Sequence, residues 1–165
     1  MKKIVLFAFL GLFISLQAFG QDQKPASPKM TAENALFKVT YGAPSKKGRE
    51  IFGGLVPFDQ VWRTGANEAT EITFKKDVTV GDKAVKAGTY TLFTIPTATD
   101  WSFILNSELK QWGAYGYDKI KDKDVIKIKV ASAKINDVQE MFTIAATNKG
   151  LDLIWDKTKV SVPIK

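Results

Sequence analysis

The chain has neither cysteine nor histidine among its 165 residues. The absence of histidine excludes Ser-His-Asp triads, Cys-His nucleophiles and nearly all ordinary zinc, copper and non-haem iron sites. The absence of cysteine excludes disulfides, so an exported form of the protein has to be stabilised by an ordinary hydrophobic core. We therefore expect no metal site and no cofactor. Any catalysis would rely on carboxylate, lysine, tyrosine or hydroxyl groups.

Long apolar runs are also scarce, and the one that exists stands at the start of the chain. Two lysines at positions 2 and 3 precede an apolar run over 4–14, and small residues follow at positions 18 and 20. The run is shorter than the roughly 20 residues that span a bilayer. This pattern predicts a signal peptide over 1–20 that is cleaved before Gln21. We expect an exported protein, periplasmic or secreted, with no membrane anchor after cleavage.

Arginine is the third scarce residue. The formal net charge is +7, but only Arg49 and Arg63 among the 24 basic residues are arginines. The lysines are spread along the chain and interspersed with acids, which is typical of a solvated surface, so we expect no nucleic-acid partner. Because a guanidinium offers a planar, bidentate set of donors that lysine lacks, the two arginines are expected to have particular partners.

The remaining sequence is dominated by short alternating segments separated by turn residues. Residues 21–30 are polar and hold two prolines, which predicts a flexible lead-in, and residues 31–165 predict a single β domain. Within 125–133, for example, isoleucine and valine alternate with lysine, and 142–155 predicts a hairpin about a turn at 148–150. The pattern predicts about nine or ten strands with little helix. The expected fold is all-β, an antiparallel β-sandwich or open barrel.

One segment, 53–70, concentrates unusual polar residues directly before a strand. It holds Arg63, Asn67 and Glu68 around a glycine. Loops that lead into rigid strands often carry binding groups, so these three are candidate ligand contacts, with Arg63 as a clamp for an anionic or polyol ligand. The alternative is structural: Arg63 pairs with Glu68 or Glu71 and caps loop carbonyls, while Asn67 adopts a left-handed turn.

A second candidate segment is aromatic and glycine-rich. Trp112 and Tyr115 are separated by Gly113 and Ala114 and followed by Gly116. Such aromatics on a loop can form a stacking platform for a sugar ring or another flat ligand. The alternative is that both rings cover the core as a roof.

Glu68 is the only candidate for a catalytic group. A glycosidase-like pair with Glu71 is disfavoured, because residues three apart on a strand point to opposite faces. No phosphate-binding glycine loop or dinucleotide fingerprint is present in the sequence. Composition therefore favours a protein without catalytic activity.

Five stretches of the sequence together carry a resemblance to a known family: 41–49, 51–57, 61–70, 87–96 and 111–115, of which Trp-Arg-Thr-Gly-Ala-Asn-Glu at 62–68 is the most specific. With these stretches the chain resembles a bacterial family known as domain of unknown function 2911. The resemblance implies an exported protein of Gram-negative bacteria, but it implies no activity and carries over no site residues.

Three functional hypotheses follow from the sequence. The first is a non-catalytic module that binds a small molecule or a glycan through Arg63, Asn67 and Glu68, with Trp112 and Tyr115 as stacking groups. The second is a histidine-free hydrolase or lyase that uses Glu68 with Arg63, which requires a second acid or a tyrosine within reach of Glu68. The third is an envelope assembly protein, which requires an exposed apolar patch or an unprotected edge strand.

Overall fold

The structure, a computed structural model, describes residues 27–165. The predicted signal peptide and positions 21–26 of the predicted lead-in lie outside the described residues. The described part is all-β, as predicted, with no α-helix and two short 3-10 turns, Tyr117–Lys119 and Lys121–Lys123. Within it no helix has the length and apolar character needed to cross a membrane. The strands are β1 (Lys29–Glu33), β2 (Phe37–Gly42), β3 (Thr70–Phe74), β4 (Val78–Val80), β5 (Lys83–Val85), β6 (Gly88–Pro96), β7 (Asp100–Asn106), β8 (Asp124–Thr147) and β9 (Gly150–Pro163).

Seven of the nine strands form one antiparallel sheet in the order β1-β2-β3-β6-β7-β8-β9, and β4 and β5 form a separate hairpin. The large sheet curls back on itself beyond the end of β2. There Phe142 donates its backbone N–H to the Pro44 carbonyl at 2.8 Å, and Lys46 donates to the Glu140 carbonyl at 2.7 Å. These bonds bring the far half of β8 beside the segment after β2, so the sheet becomes a half-barrel with an enclosed interior face.

Strand β8 is a single strand where the sequence predicts two. Its first part, Asp124 to Ala131, pairs with β7, and the part from Ser132 onward pairs with β9 with shifts of register between Lys134 and Thr143. Residues 135–140 are mostly exposed, so no alternating burial marks them in the sequence. The predicted hairpin about 148–150 is confirmed.

Strand β1 begins at Lys29, inside the segment predicted as lead-in. It pairs with β2 from Lys29 opposite Gly42 to Glu33 opposite Lys38. Its side chains are mostly exposed, so the strand is held by main-chain hydrogen bonds and carries no hydrophobic alternation. That is why the sequence pattern gives no signal for it.

The interior of the half-barrel is filled by an aromatic cluster. Trp62 stacks on Trp155 with ring centroids 5.9 Å apart, and it meets Trp101 and Phe142 edge-on at 6.0 and 5.0 Å. Phe52 lies 4.8 Å from Trp101 in a T-shaped contact. Offset and edge-on arrangements of this kind are the favourable ones for buried rings. The cluster joins the 51–62 segment to β7, β8 and β9.

A smaller core lies apart from this cluster and supports the 107–123 loop. Tyr117 packs against Phe93 with centroids 5.1 Å apart and donates its hydroxyl to the Asp124 carboxylate. Asn106 donates to the other oxygen of that carboxylate at 2.8 Å. Burial, followed by the hydrogen bond to Asp124, raises the pKa of Tyr117. The loop that carries Trp112 and Tyr115 is therefore anchored at its C-terminal end.

Candidate functional site

Arg63 stands on a loop whose backbone is fixed on both sides. Trp62 and Thr94 of β6 exchange N–H to carbonyl hydrogen bonds at 2.7 and 3.0 Å. Thr70 donates its N–H to the Arg63 carbonyl at 3.1 Å. The main chain at Arg63 is thus clamped to the sheet.

Buried threonine hydroxyls hold the inner side of the same loop. Thr64, Thr70 and Thr94 are all fully buried. The hydroxyls of Thr64 and Thr94 lie 3.0 Å apart, and the Thr70 hydroxyl donates to the Thr64 carbonyl at 2.6 Å. Every one of these buried hydroxyls has a partner, as the cost of an unpaired buried polar group requires. The network makes the loop rigid.

Asn67 connects the loop to two neighbouring segments. Its φ is 63°, so it adopts the left-handed conformation that the structural alternative predicts, a conformation that asparagine tolerates well. Its carbonyl accepts from Gly113 N–H at 3.2 Å, and its side-chain amide donates to the Ser27 carbonyl at 3.3 Å. Part of its hydrogen-bonding capacity is therefore used in holding the site together.

The Arg63 guanidinium has no carboxylate partner in residues 27–165. Its Nη1 donates to the Asn67 carbonyl at 3.2 Å, and its Nη2 lies 3.5 Å from the Tyr115 hydroxyl. The predicted alternative of an ion pair with Glu68 or Glu71 is wrong. No carboxylate oxygen of residues 27–165 lies within 4.0 Å of the Arg63 guanidinium nitrogens. The predicted capping of a loop carbonyl is confirmed.

Arg63 and Asn67 line an open cleft of about 400 Å³, which we call the cationic cleft. Lys47 and Arg49, from the loop after β2, line the same cleft, and none of the acidic residues within 27–165 does. Trp62 and Trp155 of the aromatic cluster contribute to its walls. The remaining lining residues are Ser27, Pro44, Ser45, Leu55, Val56, Gly65 and Ala66.

Arg49 resembles Arg63 in how it is held. Its Nε donates to the Lys46 carbonyl at 3.0 Å and its Nη2 donates to the Ser45 carbonyl at 2.6 Å. No carboxylate within residues 27–165 pairs with Arg49 either, whereas the neighbouring Lys46 forms an ion pair with Asp156 at 2.9 Å. Both arginines thus keep guanidinium donors that no carboxylate of residues 27–165 neutralises.

Glu68 lies apart from this charge. It is exposed and lines a different cleft, of about 200 Å³, together with Glu71, Lys29 and Lys110. We call this the Glu68 cleft; Arg63 does not line it. Glu71 accepts from the Lys110 N–H at 2.9 Å, so it is engaged with the backbone. Within residues 27–165 no group of three acids is placed to hold a metal ion.

Trp112 and Tyr115 do not roof the core. Their side chains are 64% and 81% exposed. The Tyr115 ring lies beside Arg63, whose Cζ is 5.5 Å from the ring centroid, a cation–π distance. Gly113, with φ of 73°, allows this arrangement, because a Cβ there would come within 2.8 Å of the Tyr115 ring. Trp112 lines neither the cationic cleft nor the Glu68 cleft.

The structure therefore gathers some predicted site residues and separates others. Arg63 and Asn67 line the cationic cleft and Tyr115 contacts Arg63 beside it, whereas Glu68 and Trp112 lie outside this group. Sequence reasoning missed Lys47 and Arg49 as members of the site. The scarcity of arginine was the only available signal for Arg49, because the approach of the two loops depends on the curl of the sheet.

No significant match was found for this chain among curated proteins or among solved structures. A family model does match. It is described as a protein of unknown function, DUF2911, and it covers residues 24–164. The chain belongs to this family.

Proposed function

We propose that this protein binds a small anionic ligand, without catalysis, in the cationic cleft. The supporting observation is that Lys47, Arg49 and Arg63 line one cleft, and that no acidic residue of the described part of the chain lines it. Its volume of about 400 Å³ lies within the range of small-molecule sites, about 300–1,000 Å³. A carboxylate, phosphate or sulfate group is the partner that guanidinium donors recognise best.

The rigidity of the Arg63 loop favours binding. The Trp62–Thr94 backbone pair and the buried threonine hydroxyls fix the loop before any ligand arrives. Binding then costs little conformational entropy at this position, since the guanidinium is already held by the Asn67 carbonyl. Such preorganisation is what a specific anion site requires.

The same geometry disfavours a hydrolase or lyase that uses Glu68 with Arg63. The two side chains line separate clefts. Glu71 does line the Glu68 cleft as a second acid. However, Glu68 is exposed and its carboxylate has no hydrogen-bond donor among the described residues, so nothing there orients it for proton transfer.

The test is calorimetric titration of the protein with sulfate, phosphate and acetate at low, fixed ionic strength. Arg63→Ala is expected to weaken binding about 10- to 100-fold, because a hydrogen bond to a charged group contributes about 1.5–3 kcal/mol. Arg49→Ala, at a more exposed position, is expected to have a smaller effect in the same direction. Lys127→Ala removes an equal charge from an exposed position outside the cleft and should change affinity less than twofold.

If Arg63→Ala fails to fold, Arg63→Lys and Arg49→Ala carry the test. The proposal would be contradicted if the Arg63 and Arg49 variants bound the anions as tightly as the wild type. It would also be contradicted if the wild type bound none of the three anions. An envelope assembly role, with no small-molecule site, predicts that second result.

We also propose that binding takes place outside the cytoplasm, in the periplasm or beyond. The basis is the predicted signal peptide at 1–20. Expression of the full chain in a Gram-negative host should yield a mature protein that begins at Gln21 and fractionates with the periplasm or the medium. N-terminal sequencing that starts at Met1 in the cytoplasmic fraction would overturn this.

A further inference from the structure

A second cleft adjoins the cationic cleft. It has a volume of about 220 Å³, and we call it the Tyr115 cleft. The two clefts share four lining residues and are therefore parts of one continuous surface. The shared residues are Leu55, Val56, Trp62 and Arg63.

The two clefts differ in chemistry. Beyond the shared residues, the Tyr115 cleft is lined by Pro57, Gln60, Val61, Ala114 and Tyr115. Among the described residues of this lining, Gln60 and the Tyr115 hydroxyl are the polar side-chain groups, and Arg63 is the one charged residue. The Tyr115 cleft is thus an apolar extension of a cationic one.

Exposed apolar residues line the two clefts. Leu55 is 45% exposed and lines both, and Tyr115 is 81% exposed and lines the Tyr115 cleft. Single exposed apolar residues are common on protein surfaces, but a group of them around a concave site indicates a binding function. The apolar group of a ligand would remove this surface from water.

Arg63 lines both the cationic cleft and the Tyr115 cleft. Its guanidinium lies within cation–π distance of Tyr115 and also lines the cationic cleft. A ligand bound to Arg63 by its anionic group therefore has apolar protein surface directly beside that group. A ligand with a second charge or many hydroxyls there would find only Gln60 and the Tyr115 hydroxyl as polar partners.

We infer that the ligand is a compact hydrophobic acid, in which a carboxylate is attached to an aromatic or alicyclic ring. The carboxylate binds Arg63 in the cationic cleft, and the ring occupies the Tyr115 cleft against Leu55 and Tyr115. This inference rests on the proposed anion-binding function and names the ligand class. A polyol acid of the sugar type is the competing ligand class.

The experiment compares four carboxylates by calorimetric titration of the full folded chain: acetate, benzoate, cyclohexanecarboxylate and glucuronate. Benzoate and cyclohexanecarboxylate are expected to bind at least tenfold more tightly than acetate, because their rings bury apolar surface. Glucuronate has a ring of similar size covered with hydroxyls, and it should gain no such advantage.

Two aromatic variants supply a matched pair. Tyr115→Ala should reduce the benzoate-to-acetate affinity ratio at least threefold. Trp112→Ala, which removes an exposed aromatic outside both clefts, should leave that ratio unchanged. Leu55→Asn is a second variant, which should weaken the contact with the ring of the ligand without changing the charge of the cleft.

The outcomes separate the inference from the proposed function. If all four acids bind equally and Arg63→Ala abolishes their binding, the ligand class is wrong and anion binding stands. Tighter binding of glucuronate than of benzoate also overturns the inference, in favour of a sugar acid. If no carboxylate binds, the proposed function fails and the inference fails with it.

Discussion

Replacement of Trp155 by alanine is expected to lower the free energy of unfolding by about 3–5 kcal/mol, the range for loss of a fully buried aromatic side chain. Trp155 is 1% exposed and stacks on Trp62. Its indole N–H also donates to the Glu140 carbonyl at 3.1 Å, so the variant leaves a cavity and removes one of the two hydrogen bonds that this carbonyl accepts. Because whole domains are stable by only about 5–15 kcal/mol, this one change removes a large part of the total.

Urea denaturation followed by far-UV circular dichroism measures the effect, with Trp112→Ala as the matched control. Trp112 is largely exposed, so its loss should change the unfolding free energy by no more than about 0.5 kcal/mol. If the two tryptophan variants prove equally stable, the aromatic cluster is not the core of this fold.

Gly42→Ala is expected to lower the free energy of unfolding by about 2 kcal/mol and also to weaken anion binding. Gly42 ends β2, where a Cβ would lie 2.1 Å from the carbonyl oxygen of Ala66. That contact is with backbone, so the Arg63 loop or the strand has to move, and overpacking of this kind typically costs about 1–3 kcal/mol. The Ala66 N–H donates to the Gly42 carbonyl at 3.2 Å, so the shift also strains a hydrogen bond that positions the loop.

Gly116→Ala is the control for this effect. Its backbone has φ of −93°, and the nearest atom to an added Cβ is the Gln111 side-chain oxygen at 3.6 Å. Alanine fits there without displacement, so its unfolding midpoint in urea should match the wild type. If Gly42→Ala has the stability and the sulfate affinity of the wild type, the close contact between Gly42 and Ala66 does not position the Arg63 loop.

The sequence predicts the fold class well because the information is local. Alternation of apolar and charged residues, as in Ile126, Lys127 and Ile128, records directly which side of a strand faces the core. Where this alternation is absent, the sequence does not predict the strand. Strand β1 and the middle of β8 are mostly exposed, and main-chain bonding that is independent of side-chain identity holds β1 to β2.

The candidate site could be predicted only in part. Arg63 and Asn67 lie close together in sequence, and their proximity in the structure follows from the chain itself. Arg49 reaches the same cleft because the Phe142–Pro44 and Lys46–Glu140 bonds close the curl of the sheet. No local pattern encodes such an approach. The structural alternative in which Arg63 pairs with Glu68 is wrong, because the loop turns at Asn67 and Glu68 lines a different cleft.

Anion binding at Arg63 can be measured directly because the chain contains so few arginines. The chain has only two arginines, so a proton–nitrogen correlation spectrum should show only two arginine Nε–H signals. The Arg63→Lys variant assigns the Arg63 signal by its disappearance.

Titration with sulfate, and in parallel with benzoate, should move the Arg63 signal along a saturable curve at constant ionic strength. The indole N–H signal of Trp112, outside the cleft, should stay in place. If neither arginine signal moves with either anion, or if both drift linearly without saturation, the cationic cleft is not a binding site.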